Sequence, residues 1–177
     1  MIDRRRILTK IIQSFSVVGI FFAGYPFIKS SSIFKDRQHE LEIDLTDLSV
    51  NKVKEVSWLG RPVIIVRRSK KEIAAINARK TLLKDPLSDF SVQPSFAKNN
   101  SRSIREDIFV VFGNCTHLGC IVKSRLTPGE SRFNCPCHDS KFDGAGRVFS
   151  NAVAPRNLEV PNYFFISKNT LLLTASK

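Results

Sequence analysis

Cysteine and histidine are missing from most of this sequence. The 177 residues include four cysteines and three histidines, and six of these seven side chains fall within two short segments, CTHLGC at 115–120 and CPCHDS at 135–140. The remaining one, His39, stands alone, and we expect it to be a solvated side chain. Chance does not concentrate rare residues in this way, so the two segments are expected to bind something together.

The aromatic residues that stack on nucleic-acid bases are also scarce, with one tryptophan and two tyrosines. Lysine and arginine number 28 against 16 acidic residues, which gives a net charge of +12. Without a recognition-helix pattern or stacking residues, this charge does not predict a nucleic-acid partner. Part of it brackets an apolar N-terminal stretch, and the remainder is interpreted as a solvated basic surface near anionic lipid.

Charge is absent from the stretch IIQSFSVVGIFFAGYPFI at 11–28. A helix of that length spans about 27 Å, close to the roughly 30 Å of a bilayer's hydrocarbon core. We therefore predict a retained transmembrane anchor, with residues 1–10 on the cytoplasmic side because basic residues precede the stretch. The alternative is a cleaved signal peptide with a small-x-small site at 30–32, although Pro26 and Lys29 just before this site do not favour cleavage there.

The run Arg4-Arg5-Arg6-Ile7-Leu8 is similar to a twin-arginine export signal, an address read by a receptor. Such export carries folded proteins, which suits a chain whose cofactor is inserted before it crosses the membrane. It would bring the four cysteines to a compartment where disulfides persist. Residues 29–40 are polar and without periodicity, and they are predicted to form a flexible neck between the anchor and a head at 41–177.

The head is predicted to be mainly β. Apolar residues at 41, 43 and 45 alternate with polar ones, which predicts a half-buried strand, and two strand-like runs around 60–62 predict a hairpin. Residues 70–83 have helical spacing and end before Asp85-Pro86. A short apolar strand at 107–114 leads into the first cysteine segment, and two more strands flank a turn at Lys168-Asn169. Short strands separated by turns indicate an antiparallel architecture.

Each cysteine–histidine segment offers a thiol and an imidazole on a tight turn, as Cys115-x-His117 and as Cys135-x-x-His138. Three interpretations compete. Zinc accepts both residue types, but its usual frames are C-x(2–4)-C and H-x(3–5)-H, and it leaves two cysteines unexplained. Two disulfides beside two solvated histidines leave the matched histidines unexplained. The third interpretation is a [2Fe–2S] cluster with two cysteines on one iron and two histidines on the other.

The six residues match the signature of the Rieske family in type and spacing, and here the sequence resembles that family. The resemblance implies one [2Fe–2S] cluster, with Cys115 and Cys135 on one iron and His117 and His138 on the other. It implies that the remaining two cysteines form a disulfide that ties the segments together, Cys120 with Cys137. It also implies three further residues around the cluster: Leu118, Ser140 and Phe142.

Histidine ligands have a chemical consequence. With two ferric ions and two sulfides, four thiolates would make the oxidised cluster an anion, whereas two thiolates and two neutral imidazoles leave it uncharged. An electron adds more easily to the neutral site, so the potential is higher by hundreds of millivolts. A ligand imidazole can also exchange its outer proton, which links electron uptake to proton uptake. His117 and His138 are therefore expected to contact a quinol and accept its proton.

The extra cysteine pair is typical of the high-potential, membrane-associated branch of the family. Within it the sequence resembles the iron–sulfur subunits of bacterial ubiquinol–cytochrome c oxidoreductases, through segments that include VSWLGRPVIIVRR, FAKNNSRSI, SKFDGAGRVF and APRNLEVPNYFF. The small subunit of arsenite oxidase is the alternative. The resemblance implies an N-terminal transmembrane helix and a Rieske-type antiparallel β-sandwich head with a small cluster-binding subdomain at about 113–156.

For the quinol enzyme, the resemblance implies a head that takes one electron from ubiquinol at the cytochrome b site and passes it to a c-type cytochrome, with protons released outside. The partners would be cytochrome b and the c-type cytochrome, in a dimeric complex of the bacterial inner membrane with the head in the periplasm. Leu118 would cover the cluster and touch quinol, or else fill the core. Ser140 would donate its hydroxyl to a cluster sulfide or to a turn.

Three positions depart from the family pattern. Asp139 stands where glycine is usual after the ligand histidine, and Phe142 stands where many members have tyrosine. Of the two prolines in the usual Gly-x-Pro-Ala-Pro loop, the segment 151–155 keeps only the last, Pro155. None of these changes removes a ligand, but each bears on the potential or on the packing beside the quinol.

We predict that Phe142→Tyr raises the midpoint potential. The resemblance implies that a tyrosine here donates a hydrogen bond to the sulfur of the first ligand cysteine, Cys115, and such a bond favours the reduced, more negative cluster. A differential effect of about 1 kcal/mol corresponds to roughly 40 mV for one electron, so we expect a rise of tens of millivolts. Redox titration of both proteins measures it, and an unchanged or lower midpoint would mean that position 142 does not reach the sulfur.

Overall fold

The computed structural model describes residues 3–33, 40–78, 80–125 and 131–175, and for residues 28–33 it describes the backbone only. The chain divides into two units, Met1–Gln38 and His39–Lys177. Of the predicted neck at 29–40, residues 29–33 are helical, and residues 34–39, which include His39 and its expected solvated side chain, lie outside the described residues.

The first unit contains a long helix, α1 (Arg4–Ile33). Within it the stretch Arg4–Phe27 is long and apolar enough to cross a membrane by length and composition. Three hydroxyls of this helix bond to its own backbone, since Thr9, Ser14 and Ser16 each donate to the carbonyl four residues earlier, at 2.9 to 3.0 Å. These bonds satisfy polar groups that would otherwise be unpaired in lipid.

The second unit contains nine strands and one α-helix among its described residues. The strands are β1 (Glu40–Asp44), β2 (Val53–Trp58), β3 (Arg61–Arg67), β4 (Ile108–Phe112), β5 (Lys123–Ser124), β6 (Phe133–Asn134), β7 (Lys141–Phe142), β8 (Tyr163–Phe165) and β9 (Thr170–Thr174). The α-helix and two 3₁₀ turns are α2 (Lys70–Ala78), Lys80–Leu82 and Ser95–Ala97.

The strands form three antiparallel sheets of three strands each, in the orders β1-β9-β8, β2-β3-β4 and β5-β6-β7. The mainly β, antiparallel head that the sequence predicts is confirmed. The predicted hairpin is also confirmed, as β2 and β3 are joined by Leu59 and Gly60, whose φ angles of 51° and 75° are both positive. Two such residues twist a hairpin turn in the direction that the flanking strands require.

One hydrophobic core joins the three sheets to the cysteine segments. The strand predicted from alternation buries Ile43 and Leu45, while β3 and β4 of the second sheet are buried almost continuously. The same cluster includes Phe133 and Phe142 from the smallest sheet, together with two of the cysteines, Cys115 and Cys135. The candidate site is therefore built directly on the core, which limits how far its inner side can move.

The helix α2 is shorter than the periodicity over 70–83 predicts. Ile76 is buried as expected, but the helix ends at Ala78 and Leu83 instead forms a bridge with Phe149. After the helix the backbone is bonded to a distant segment, because the N–H of residue 84 donates to the carbonyl of 148 and the N–H of 150 donates to the carbonyl of 82. Tertiary hydrogen bonds thus replace the helical ones that local spacing favoured.

α2 carries a buried carboxylate, Glu72, that lies close to one residue before the second cysteine segment and to one residue after it. Glu72 Oε1 lies 3.7 Å from Arg132 Nε, and a Cβ added to Gly144 would stand 2.8 Å from the same oxygen. Burial raises the pKa of Glu72, while the charges of Arg132 and Arg68 act in the opposite direction. Arg68 is itself buried and donates to Ser103 Oγ at 2.6 Å.

We predict that Glu72→Gln changes how stability depends on pH. A carboxyl whose pKa is higher in the folded state holds its proton more tightly there, so its contribution is greatest below about pH 4.5 and is lost as the pH rises through the raised folded value. The difference between the two thermal midpoints, wild type minus glutamine variant, should therefore decrease as the pH rises from 4 to 7. A difference that stays constant or rises over this range would contradict the assignment.

Candidate metal centre

The two cysteine–histidine segments form loops with the same backbone closure. The first loop (115–120) follows β4, and the second loop (135–140) joins β6 to β7. In the first loop the N–H of Cys115 donates to the carbonyl of Cys120 at 2.8 Å, and in the second the N–H of Cys135 donates to the carbonyl of Ser140 at 2.8 Å. Each loop is therefore a six-residue turn closed on itself, although the sequences share little beyond their first residue.

The fifth residue of each loop has a left-handed backbone, with φ of 78° at Gly119 and 49° at Asp139. Glycine adopts this conformation freely, whereas most L-residues pay about 1–2 kcal/mol and aspartate somewhat less. The glycine that the family pattern has at 139 is thus explained by the backbone, and aspartate is a tolerated substitute. Its carboxylate lies at the surface, 3.6 Å from Lys141 Nζ.

A disulfide joins the two loops. It links Cys120 to Cys137 with their Cα atoms 6.6 Å apart, which is the pair that the resemblance implied. Cys115 and Cys135 are free thiols, and both are buried. The sulfurs of Cys120, Cys135 and Cys137 all lie within 4.8 Å of one another. Because two of these belong to the disulfide, Cys135 alone can provide a thiolate in this group.

The two free thiols face each other. Burial, together with the Cys135 thiol, raises the pKa of the Cys115 thiol to about 11, while the backbone N–H of His117 and the Ser140 hydroxyl act in the opposite direction. A thiol must lose its proton to bind a metal. At neutral pH the positive charge of the metal itself has to displace the proton here.

The two histidines of the loops are adjacent. Their ring centroids are 4.7 Å apart and the rings are nearly perpendicular, at 84°. His117 is half-buried, and its Nδ1 is buried without a hydrogen-bond partner among the described residues, whereas His138 is exposed. An unpaired buried nitrogen costs about 1–3 kcal/mol, which a bond to a metal would offset. The orphaned Nδ1 therefore has the property expected of a metal ligand.

Of the four candidate donor side chains, the two thiols are buried more deeply than the two imidazoles. The thiols of Cys115 and Cys135 are 3% and 2% exposed and lie on the core side, while both imidazoles lie farther out. Each loop contributes one of each. A [2Fe–2S] cluster with sulfur ligands on one iron and nitrogen ligands on the other needs this separation, so the residues present fit that group.

The segment at 151–156 forms a hydrogen bond with each of the two loops. The N–H of Ala154 donates to Ser140 Oγ in the second loop at 3.0 Å, and Thr116 Oγ1 in the first loop donates to the carbonyl of Arg156 at 2.6 Å. Thr116 and Arg156 were missed by sequence reasoning, because neither is a metal-binding residue type. The position of a hydroxyl residue between the cysteine and histidine of the first loop was the only available signal.

The Ser140 hydroxyl has a proton to donate toward the site. The side chain is fully buried and its oxygen accepts from the N–H of Ala154, which leaves its own O–H available to donate, and the hydroxyl acts to lower the pKa of the Cys115 thiol. This geometry agrees with a donor role. Its predicted bond to a cluster sulfide stays a prediction.

Aliphatic side chains near the loops are exposed. Leu118 in the first loop is 72% exposed. Ile121, just after that loop, and Val153, in the segment 151–156, are 60% and 54% exposed. Leu118 therefore does not fill the core, which was one of its two expected roles. Phe142, by contrast, is completely buried opposite Phe133, and its approach to the Cys115 sulfur stays a prediction.

A family model described as the Rieske [2Fe–2S] domain matches residues 41–163. The match begins in β1 and ends at the start of β8, so it includes both loops and all four donor side chains.

Two curated relatives match almost the whole chain. The ubiquinol–cytochrome c reductase iron–sulfur subunit of Allochromatium vinosum is 38% identical over 184 residues, covering 96% of this chain and 87% of its own length. That of Rickettsia prowazekii is 34% identical over 166 residues, covering 93% and 89%. A solved structure of a hyperthermophilic respiratory Complex III aligns with 92% of this chain and 98% of its own at 22% identity and a TM-score of 0.49. That structural likeness is too distant to add weight to the sequence matches.

We predict opposite effects of two substitutions at Asp139. Asp139→Gly removes the cost of a left-handed L-residue and should stabilise the chain by up to about 1 kcal/mol. Asp139→Ala keeps a Cβ without the short polar group that tolerates this conformation, so it should destabilise the chain. Thermal unfolding of the three proteins compares them, and equal midpoints for the two variants would show that the backbone at 139 is not left-handed.

Proposed function

The chain belongs to the Rieske [2Fe–2S] family, and from that membership we propose that it is the iron–sulfur subunit of a bacterial ubiquinol–cytochrome c oxidoreductase. It would take one electron from ubiquinol and pass it to a c-type cytochrome. The observation that carries the proposal is the sorting of the donors, with two thiols on the core side and two imidazoles toward the surface. Both curated relatives described above have the name of the quinol enzyme, which favours it over an arsenite oxidase.

We assign the ligands by residue. Cys115 and Cys135 would bind one iron from the core side, and His117 and His138 would bind the other. The buried, unpartnered Nδ1 of His117 supports this, since it is the nitrogen left without another role. The bound cluster would supply a one-electron carrier of high potential, because imidazole ligands leave it less negative than thiolates do.

The histidines would perform the proton chemistry. When Nδ1 of His117 faces iron, its Nε2 is left free on the outer side of the ring, and His138 is exposed beside it. An outer imidazole nitrogen can accept a hydrogen bond from a quinol hydroxyl and then take its proton. The proton would later leave to solvent from this outer nitrogen. The electron would instead pass through the ring to the iron-bound nitrogen on the opposite side.

The apolar side chains near the loops would receive the quinol. Leu118 is positioned next to His117 in the first loop and is largely exposed, with Ile121 and Val153 also exposed. An apolar surface around the outer imidazoles would exclude water from the hydroxyl that is being deprotonated. The buried Ser140 hydroxyl would hold the opposite, sulfur side of the site in place.

The N-terminal unit gives the proposed location. A helix able to span a membrane begins with the twin-arginine-like run, and the head follows it in the sequence. We propose a single-pass protein of the bacterial inner membrane with its head in the periplasm. Cytochrome b and the c-type cytochrome would be its partners in a dimeric complex.

The test is electron transfer by the purified membrane complex. The complex purified with the full chain in mild detergent should contain b-type haem, should contain non-haem iron and acid-labile sulfide in amounts equal to each other, and should contain no stoichiometric zinc or molybdenum. His138→Ala should lose both the cluster and quinol–cytochrome c reductase activity. Lys168→Ala, at an exposed turn of the head, is the control and should keep both. Unchanged quinol oxidation in the His138 variant, or molybdenum with arsenite oxidation in the wild type, would contradict the proposal.

A further inference from the structure

Arg61 lies outside both loops, and its guanidinium is held in a fixed plane. Its two terminal nitrogens donate to the two carboxylate oxygens of Glu159, at 3.1 and 2.6 Å. Its Cζ lies 3.6 Å from the centroid of the Phe112 ring. A two-point contact to a carboxylate and a stacking contact to an aromatic face together restrict both the position and the orientation of the group. Its remaining nitrogen, Nε, therefore points in one direction.

That nitrogen reaches Asn114, the residue before the first ligand cysteine. Arg61 Nε donates to Asn114 Oδ1 at 3.4 Å, and Asn114 Nδ2 donates to the carbonyl of Gly119 at 3.3 Å. Because arginine can only donate and a carbonyl can only accept, these two neighbours allow the asparagine amide a single orientation. A continuous polar path thus runs from Arg61 through Asn114 into the first loop.

The path ends at the residue on which the shape of the loop depends. Gly119 has the left-handed backbone described above, and its N–H donates to the carbonyl of Cys115 at 2.9 Å. Its carbonyl is the group that Asn114 binds. The N–H of Gly119 is therefore held by the loop itself. Its carbonyl is held by Asn114, which is in turn bound by Arg61.

The second loop has a matching pair. Asn134 precedes Cys135 as Asn114 precedes Cys115. In the amide orientation that satisfies its neighbours, Asn134 Oδ1 accepts from Arg125 Nη2 at 3.3 Å. An asparagine bound by an arginine thus precedes each ligand cysteine, but the Asn134 amide nitrogen donates to Ser131 Oγ and the carbonyl of Phe133, so only the first pair continues into its loop.

We infer that Arg61 is a positioning residue for the first loop, acting through Asn114 on the segment that carries Cys115 and His117. This rests on the proposed function, because the cluster bound by that segment is the reporter. A role limited to joining β3 to the segment around Glu159 would change stability alone. A positioning role also changes the geometry of the ligands, and therefore the spectrum and the potential of the cluster.

The experiment compares Arg61→Lys with a matched control, Arg105→Lys, in the full chain. Arg105 makes the same kinds of contact elsewhere, with two nitrogens on Asp107 at 3.1 and 2.8 Å and its Cζ 4.8 Å from the Phe165 ring centroid. Both substitutions keep the charge and lose the planar fork. Asn114→Ala and the double variant Arg61→Lys with Asn114→Ala test the path. The readouts are the EPR g-values of the reduced cluster, its midpoint potential and the thermal midpoint.

We expect Arg61→Lys and Asn114→Ala to shift the g-values and the potential, and the double variant to shift them no further than Asn114→Ala does, because the two residues act in series. Arg105→Lys should lower the thermal midpoint but leave the spectrum and the potential unchanged. If Arg61→Lys does not assemble a cluster, Glu159→Gln weakens the same fork and should give a smaller shift in the same direction.

An intact cluster with wild-type g-values and potential in Arg61→Lys, or in Glu159→Gln where that variant replaces it, would overturn the inference. Equal shifts in Arg105→Lys would overturn it as well. A wild-type chain without the [2Fe–2S] signal would overturn the proposed function and this inference with it, whereas unchanged variants of a cluster-bearing wild type overturn the inference alone.

Discussion

The disulfide between Cys120 and Cys137 is the link on which the arrangement of the two loops depends. Each loop closes on itself through its own backbone hydrogen bond, but nothing in that closure determines where the other loop lies. The bridge spans 17 positions of sequence, and closing a loop of that size restricts the unfolded chain by about 3 kcal/mol in the chain-entropy model. Its more specific effect is to keep one thiol and one imidazole from each loop beside their counterparts.

The sorted donors give the site two chemically different sides. The sulfur side rests on the hydrophobic core, next to Phe133 and Phe142, where water is excluded. The imidazole side faces outward, with His138 exposed and with exposed aliphatic side chains on or near the loops at Leu118, Ile121 and Val153. A carrier in this position can exchange electrons with a partner that docks on the apolar surface, and it can exchange protons through nitrogen atoms that solvent reaches. Under the proposed ligand assignment, the same asymmetry would account for ligands of two residue types in place of four cysteines.

Local patterns in the sequence predicted much of this molecule. The alternation at 41–45, the hairpin around Gly60 and the two cysteine–histidine segments each depend on residues close together in the chain, and each appears in the structure as expected. The end of α2 at Ala78 was not predictable, because hydrogen bonds from the distant segment 148–150 decide it. The path from Arg61 to Asn114 was hidden for the same reason, since 53 residues separate the two. The substitution at Asp139 was visible in the sequence, but only the backbone angle explains why glycine is usual there.

The most direct test of the account is pulsed EPR of the reduced full chain with histidine labelled by nitrogen-15. Two histidines bound to one iron should give couplings from two nitrogens, and both should change when the label replaces natural nitrogen in histidine alone. Replacing His117 or His138 should then remove the signal of the native cluster. A cluster whose spectrum is unaffected by histidine labelling would contradict the central claim, because all of its ligands would be sulfur.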